Sequence, residues 1–220
     1  MQFLHMGAGM QLIGMLDSPY VRRVAVALQL MGVPFEHQSI SVFRTFDQFS
    51  KINPVVKAPT LVCDDGTVLM DSTIILQYAE SLAGKKRSLL PSDPQALLRS
   101  LRITSLTLAA CDKSVSIIYE HMVRPADKVC ESWLSRVTGQ FQIALDELEA
   151  ELQRAPLSAA HGSIAQDGVT VGVVWHFIQQ MLPEIAVASK YPALESYRLQ
   201  TEALPEFKAA PHGDSVYQGG

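Results

Sequence analysis

Strand-type and helix-type segments alternate in this chain only as far as Gly84, and beyond it strand signals nearly vanish. Residues 10–16 are an apolar run that reads as a strand. Ser18 then takes a helix N-cap position, Pro19 the first helical position, and Gly32 stops a helix over residues 19–31. Residues 35–42 read as a second strand, parallel to the first if the helix between them is a right-handed crossover. A short helix over 46–52 ends before Asn53-Pro54. The β-favouring runs 60–63 and 68–70 flank Asp64-Asp65-Gly66-Thr67, a hairpin signal. Asp71-Ser72 opens a helix over 73–82 that ends at Gly84. A crossover pair followed by a hairpin can form only a small mixed sheet with helices packed against it.

Residues 85–95 are polar, carry Pro91 and Pro94, and read as a linker. One long helical stretch follows over 96–123, interrupted at Arg124-Pro125. Leu134, Val137, Phe141, Leu145, Leu148 and Leu152 recur every three or four residues and trace one face of a second helix. Residues 155–168 are loop-like, 170–182 form an apolar helix capped by Thr170, and 191–201 form an amphipathic one. The 220 residues thus divide into an extension over 1–9, an α/β domain over 10–84, the linker, an all-helical domain over 96–204 and a frayed C-terminal tail over 205–220.

The net charge of −4 and pI near 5.8 argue against a nucleic-acid partner, which selects a basic face. Arg22-Arg23 and Lys85-Lys86-Arg87 are short, isolated clusters that read as solvated surface. No apolar run reaches the roughly 18 residues of a membrane span, and no signal peptide is read, so no membrane partner is expected. Cys63, Cys111 and Cys130 are widely spaced and odd in number, which fits reduced thiols in the cytoplasm. The six His residues never fall near a Cys in a ligand pattern, so no metal site is expected.

Three features of the first domain carry chemistry. Ser18 places a hydroxyl beside helix N–H groups that lack intrahelical partners, where an anion is stabilised. Pro59, in Val56-Lys57-Ala58-Pro59-Thr60, cannot donate to a sheet ladder and so starts a strand or lies at an edge. If Pro59 is cis, the turn offers the Ala58 N–H and C=O to an extended peptide. Asp71-Ser72 offers a carboxylate to an ammonium, and a hydroxyl with helix N–H groups to a carboxylate. Each also has a plainer reading, as helix caps and a strand start. Together they complement a small peptide that bears an amino-acid head group and a thiol.

Ser18-Pro19-Tyr20, the stretch from Asn53-Pro54 to Pro59-Thr60-Leu61, Asp71-Ser72-Thr73 and the helical second half together resemble the cytosolic glutathione transferases, in particular bacterial members with a Ser-Pro active site. The resemblance implies a thioredoxin-like N-terminal domain that binds glutathione, an all-helical C-terminal domain that helps hold a small electrophile, and a homodimer. It implies that Ser18 is catalytic and hydrogen-bonds the glutathione sulfur. It also implies that Ala58, before Pro59, pairs with the cysteinyl backbone, that Asp71 and Ser72 take the γ-glutamyl head group, and that Lys57 lies near a glutathione carboxylate. The expected reaction is conjugation of the glutathione thiolate to an electrophile. Isomerase, dehalogenase or peroxidase chemistry on the same site, or glutathione-transferase-fold binding without turnover, are the alternatives. Cys63 reads as packing, and Tyr119, Glu120 and Arg124 as either pocket or helix terminus.

Overall fold

The computed structural model describes residues 9–160 and 162–218. The extension expected over residues 1–9 lies, Gly9 apart, outside them. The chain divides into two units, one of residues up to Leu89 together with those from Pro205 onward, the other Leu90–Leu204.

In the first unit the elements are β1 (Gln11–Ile13), α1 (Pro19–Met31), β2 (Glu36–Gln38), α2 (Phe46–Ile52), β3 (Thr60–Val62), β4 (Val68–Met70) and α3 (Ser72–Ala83). They build a four-stranded sheet in the order β2-β1-β3-β4, a thioredoxin-like α/β domain. β1 pairs in parallel with β2 and antiparallel with β3, and β3 pairs antiparallel with β4. The expected crossover and hairpin are therefore both present. Ile13, Ile40 and Phe49 are buried together, with Val42, Ile52, Val56, Ala58 and Val62 around them.

The first two strands are shorter than their apolar runs. β1 ends because the chain turns at Gly14, whose φ of 136° lies in the region that favours glycine. β2 ends because Ile40 N–H folds back on Gln38 O (3.0 Å) and Ser41 and Thr45 exchange hydrogen bonds across the next turn.

The segment from Pro205, read above as a frayed tail, is ordered on the first unit. It forms α8 (Pro205–Ala209), and Phe207 is fully buried. The surface reading of Arg22-Arg23 is overturned with it: the two side chains are 1% and 0% exposed. Arg22 reaches the chain end of α8, its Nε donating to Ala210 O (2.7 Å) and its terminal nitrogen to Phe207 O (3.2 Å). A guanidinium is tolerated in such a place because backbone carbonyls satisfy its donors.

The second unit is all-helical, with α4 (Pro94–Met122), α5 (Glu131–Arg154), α6 (Gln166–Met181) and α7 (Pro192–Thr201). Val137, Phe141, Leu145, Leu148 and Leu152 of α5 are buried, as their spacing requires. α6 starts four residues before the expected cap. Thr170 lies inside it and donates its hydroxyl to Gln166 O (2.7 Å), so it caps nothing.

Gly168, in the first turn of α6, faces Tyr197, and a Cβ there would fall on the Tyr197 hydroxyl. That hydroxyl donates to Ser158 O at 3.2 Å. Gly168→Ala is expected to displace it and destabilise the protein by about 1–3 kcal/mol, as overpacking does. A denaturation midpoint equal to that of the wild type would contradict this packing.

Candidate active site

Ser18 is the N-cap of α1, half-buried, with Pro19 at the first helical position. Its backbone N–H donates to Met15 O (3.2 Å), and its Oγ accepts the Val21 N–H at 3.4 Å. Among the described residues that N–H is the hydroxyl's hydrogen-bond partner. The hydroxyl therefore spends a lone pair on the helix and keeps its proton for another acceptor. An anion beside Ser18 also meets the positive end of the helix dipole.

Gly14 positions this turn against the next loop. A Cβ on Gly14 would lie 2.6 Å from a Val21 methyl and 3.1 Å from the Ala58 Cβ. The start of α1 and the Ala58 turn thus close on the same bare backbone. The Ala58-Pro59 peptide bond is cis. Among the described residues, neither the Ala58 N–H nor its C=O has a hydrogen-bond partner. By contrast, Thr60 Oγ1 donates to Lys57 O (2.7 Å) and accepts from Asn53 Nδ2 (2.9 Å), which fixes the loop from beneath.

Asp71 is the N-cap of α3 and stands at φ 74°, where a non-glycine residue is strained by about 1–3 kcal/mol. Its Oδ1 accepts the Thr73 N–H (2.9 Å) and its Oδ2 accepts from Lys57 Nζ (3.3 Å). Burial pushes the Asp71 carboxyl up, but the Thr73 N–H and the Lys57 ammonium outweigh it, and the group sits below the ordinary carboxylate range. The Lys57 pair is about half exposed on both sides and adds little stability by itself. Lys57 is thus committed to Asp71, so a ligand carboxylate would have to share it.

Ser72 follows at the first position of α3 and is buried. Its Oγ accepts from a terminal nitrogen of Arg23 at 3.0 Å, and Thr73 Oγ1 lies 3.4 Å from the same nitrogen. Arg23 and Gly14 were not singled out from the sequence. A strand-ending glycine is a usable signal for the second. For the first there is none, because a basic pair on a helix reads as surface until a partner is seen.

Glu120, Arg124 and Cys63 are structural. Glu120 accepts from Arg124 Nε (2.8 Å) and from the Cys130 N–H (3.0 Å), which ties the end of α4 to the start of α5. Arg124 therefore serves the helix terminus. Burial pushes the Cys63 thiol up, away from the thiolate, in keeping with a packing role. Trp175 is buried and donates to Glu195 Oε2 (3.0 Å). Among the described residues no group of three or more His, Cys, Asp and Glu side chains is placed to hold a metal ion, and no helix is long and apolar enough to cross a membrane.

Residues 12–87 match the sequence family of glutathione S-transferase N-terminal domains. The chain is 29% identical to the uncharacterized GST-like protein YibF of Escherichia coli (strain K12), over 79% of this chain and 85% of that protein. A glutathione S-transferase of Methylobacterium radiotolerans, solved in complex with glutathione sulfonate, superposes with a TM-score of 0.81 at 27% identity, covering 91% of this chain and 93% of the other. A glutathione transferase family member of Pseudomonas fluorescens Pf-5, solved with bound glutathione, gives a TM-score of 0.76 at 26% identity, covering 92% and 98%. The matched N-terminal domain, the relatives and the shared two-part fold support a glutathione transferase family for this chain.

Proposed function

We propose that the protein is a glutathione transferase that adds the thiolate of glutathione to a small electrophile. The observation that carries this reading is the Ser18 hydroxyl, which accepts from Val21 and retains a proton at the N-terminus of α1. An unperturbed thiol titrates near 8.5 and is only a few per cent thiolate at neutral pH. A hydrogen bond to a charged group contributes about 1.5–3 kcal/mol, and one pKa unit is about 1.4 kcal/mol. Ser18 and the helix end would therefore lower the bound thiol by about one to two units, enough to make thiolate the main species. The thiol proton leaves to solvent, the sulfur lone pair forms the new carbon–sulfur bond, and a leaving group departs with its electron pair. Serine supplies a hydrogen bond without a second thiol, which disfavours a disulfide-exchange mechanism at this position.

In the same reading the Ala58 N–H and C=O pair with the cysteinyl backbone. Asp71 takes the γ-glutamyl ammonium, Ser72 its carboxylate, and Lys57 lies near a glutathione carboxylate. The role is detoxification of electrophiles by a cytoplasmic homodimer, and the odd number and wide spacing of the three cysteines accord with a reducing compartment. Isothermal titration of the purified protein with glutathione, followed by assay with an activated aryl halide, tests it. Saturable binding and a glutathione-dependent rate of product formation are expected. Binding without conjugation of any electrophile in a broad panel would leave a binding protein, and no binding would sink the reading.

A further inference from the structure

We propose that Arg23 is a positioning residue for the head-group carboxylate of the peptide bound at Ser72. The inference rests on the glutathione reading above and deepens it. Arg23 projects from α1 and is fully buried, and its guanidinium donates to the Ser72 hydroxyl at 3.0 Å. A guanidinium has donors only. Ser72 Oγ must therefore be the acceptor in that bond, and its own proton is turned away from Arg23. Ser72 is 4% exposed, and among the described residues its hydroxyl has no acceptor for that proton. A buried hydroxyl that only accepts still owes one donated hydrogen bond.

The α3 N-terminus makes a carboxylate the fitting acceptor. Asp71 already occupies the Thr73 N–H there, and the first-turn dipole favours negative charge. Arg23 adds two things to this arrangement. It fixes the polarity of the Ser72 hydroxyl as a donor toward the ligand, and it polarises that donor, since linked hydrogen bonds strengthen one another. It also sets a full positive charge behind the hydroxyl, inside the protein, where salt screens it little. Thr73 Oγ1, 3.4 Å from the same guanidinium nitrogen, holds the group in register with the helix start.

The test measures two ligands against three proteins by titration calorimetry. The ligands are glutathione and an analogue whose γ-glutamyl α-carboxylate is replaced by hydrogen. The proteins are the wild type, Arg23→Met and Ser72→Ala. Both variants are expected to bind glutathione at least fivefold more weakly while changing the affinity of the decarboxylated analogue less than twofold. A merely structural role for Arg23 would weaken both ligands alike, and that outcome overturns the proposal. If Arg23→Met does not fold, Arg23→Gln, which removes the charge but keeps a polar side chain, is read by the same criterion. Equal loss of both ligands in that variant, or no loss, overturns the proposal. A wild type that fails to bind glutathione overturns the underlying reading instead, so the two failures are distinguishable.

Discussion

Ser18→Ala is expected to lower the rate of glutathione conjugation to an activated aryl halide by roughly ten- to a hundredfold at neutral pH. The magnitude follows from losing one charge-assisted hydrogen bond, about 1.5–3 kcal/mol, with each 1.4 kcal/mol worth a factor of ten. The Val21 N–H is already matched to the Ser18 oxygen, so the proton lost with the hydroxyl is the one that, in the proposed reading, is offered to the sulfur. The pH profile separates this from damage to the fold. Wild-type activity should rise with a midpoint about one to two units below the free thiol value near 8.5. In the alanine variant the midpoint moves up toward that value, and the two curves converge at alkaline pH, where the thiol ionises unaided. Removing the N-cap also costs about 1 kcal/mol of stability, which would lower the unfolding midpoint but not move the pH profile. Ser18→Thr keeps a hydroxyl and should recover most of the rate. An alanine variant with an unchanged rate and profile would remove Ser18 from the chemistry.

What could be read from the sequence was local. The limits of α1 follow from Ser18, Pro19 and Gly32, and those residues fulfil their roles within one turn of where they stand. The same holds for Asp71, which caps α3 through its own Thr73 N–H. The strand lengths could not be read this way, because Gly14 ends β1 to let α1 and Ala58 approach, and that approach is a tertiary demand. Thr170 looked like a cap because Ser and Thr favour caps, yet in the structure it back-bonds to Gln166 inside a helix that packing extends. Arg22-Arg23 is the sharpest case. Composition places arginine at the surface, whereas the carbonyls at α8 and the hydroxyls of Ser72 and Thr73, distant in sequence, accept from the two buried guanidinium groups. The helix-cap positions of Ser18 and Asp71 were therefore legible, and the burial of Arg23 was not.

Phe207→Ala is expected to destabilise the first unit by about 3–5 kcal/mol, the usual cost of deleting a fully buried aromatic ring. α8 is too short to hold itself. It is held by the Phe207 ring, by Arg22, whose guanidinium carbon lies 5.7 Å from the ring centroid, and by Gln29, which donates to Glu206 O at 3.0 Å. Beyond it the chain runs along the edge strand β2. Ser39 donates to Asp214 O (2.8 Å), the Tyr217 ring stacks on Phe35 at 4.7 Å, and the Tyr217 N–H donates to His37 Nδ1 (3.0 Å). These contacts tie the segment to side chains of β2 and of the residues flanking it. Losing the Phe207 anchor should release the whole segment, so amide exchange should speed up at Tyr217 as well as in α8, while α4 to α7 keep their protection. Acid should loosen the same strap. His37 accepts at Nδ1 and so donates its Nε2 proton to Gly14 O (2.7 Å), which makes the ring neutral. Burial holds its pKa below the ordinary value despite the Gly14 carbonyl. Below about 6.5 the unfolded chain takes up the proton first, so this part of the stability is complete above that pH and is lost as pH falls through the folded value. Phe207→Leu, which retains most of the apolar volume, should cost less than about 1.5 kcal/mol. If the alanine variant matched the wild type in both midpoint and exchange at Tyr217, the segment from Pro205 would be a passive tail after all.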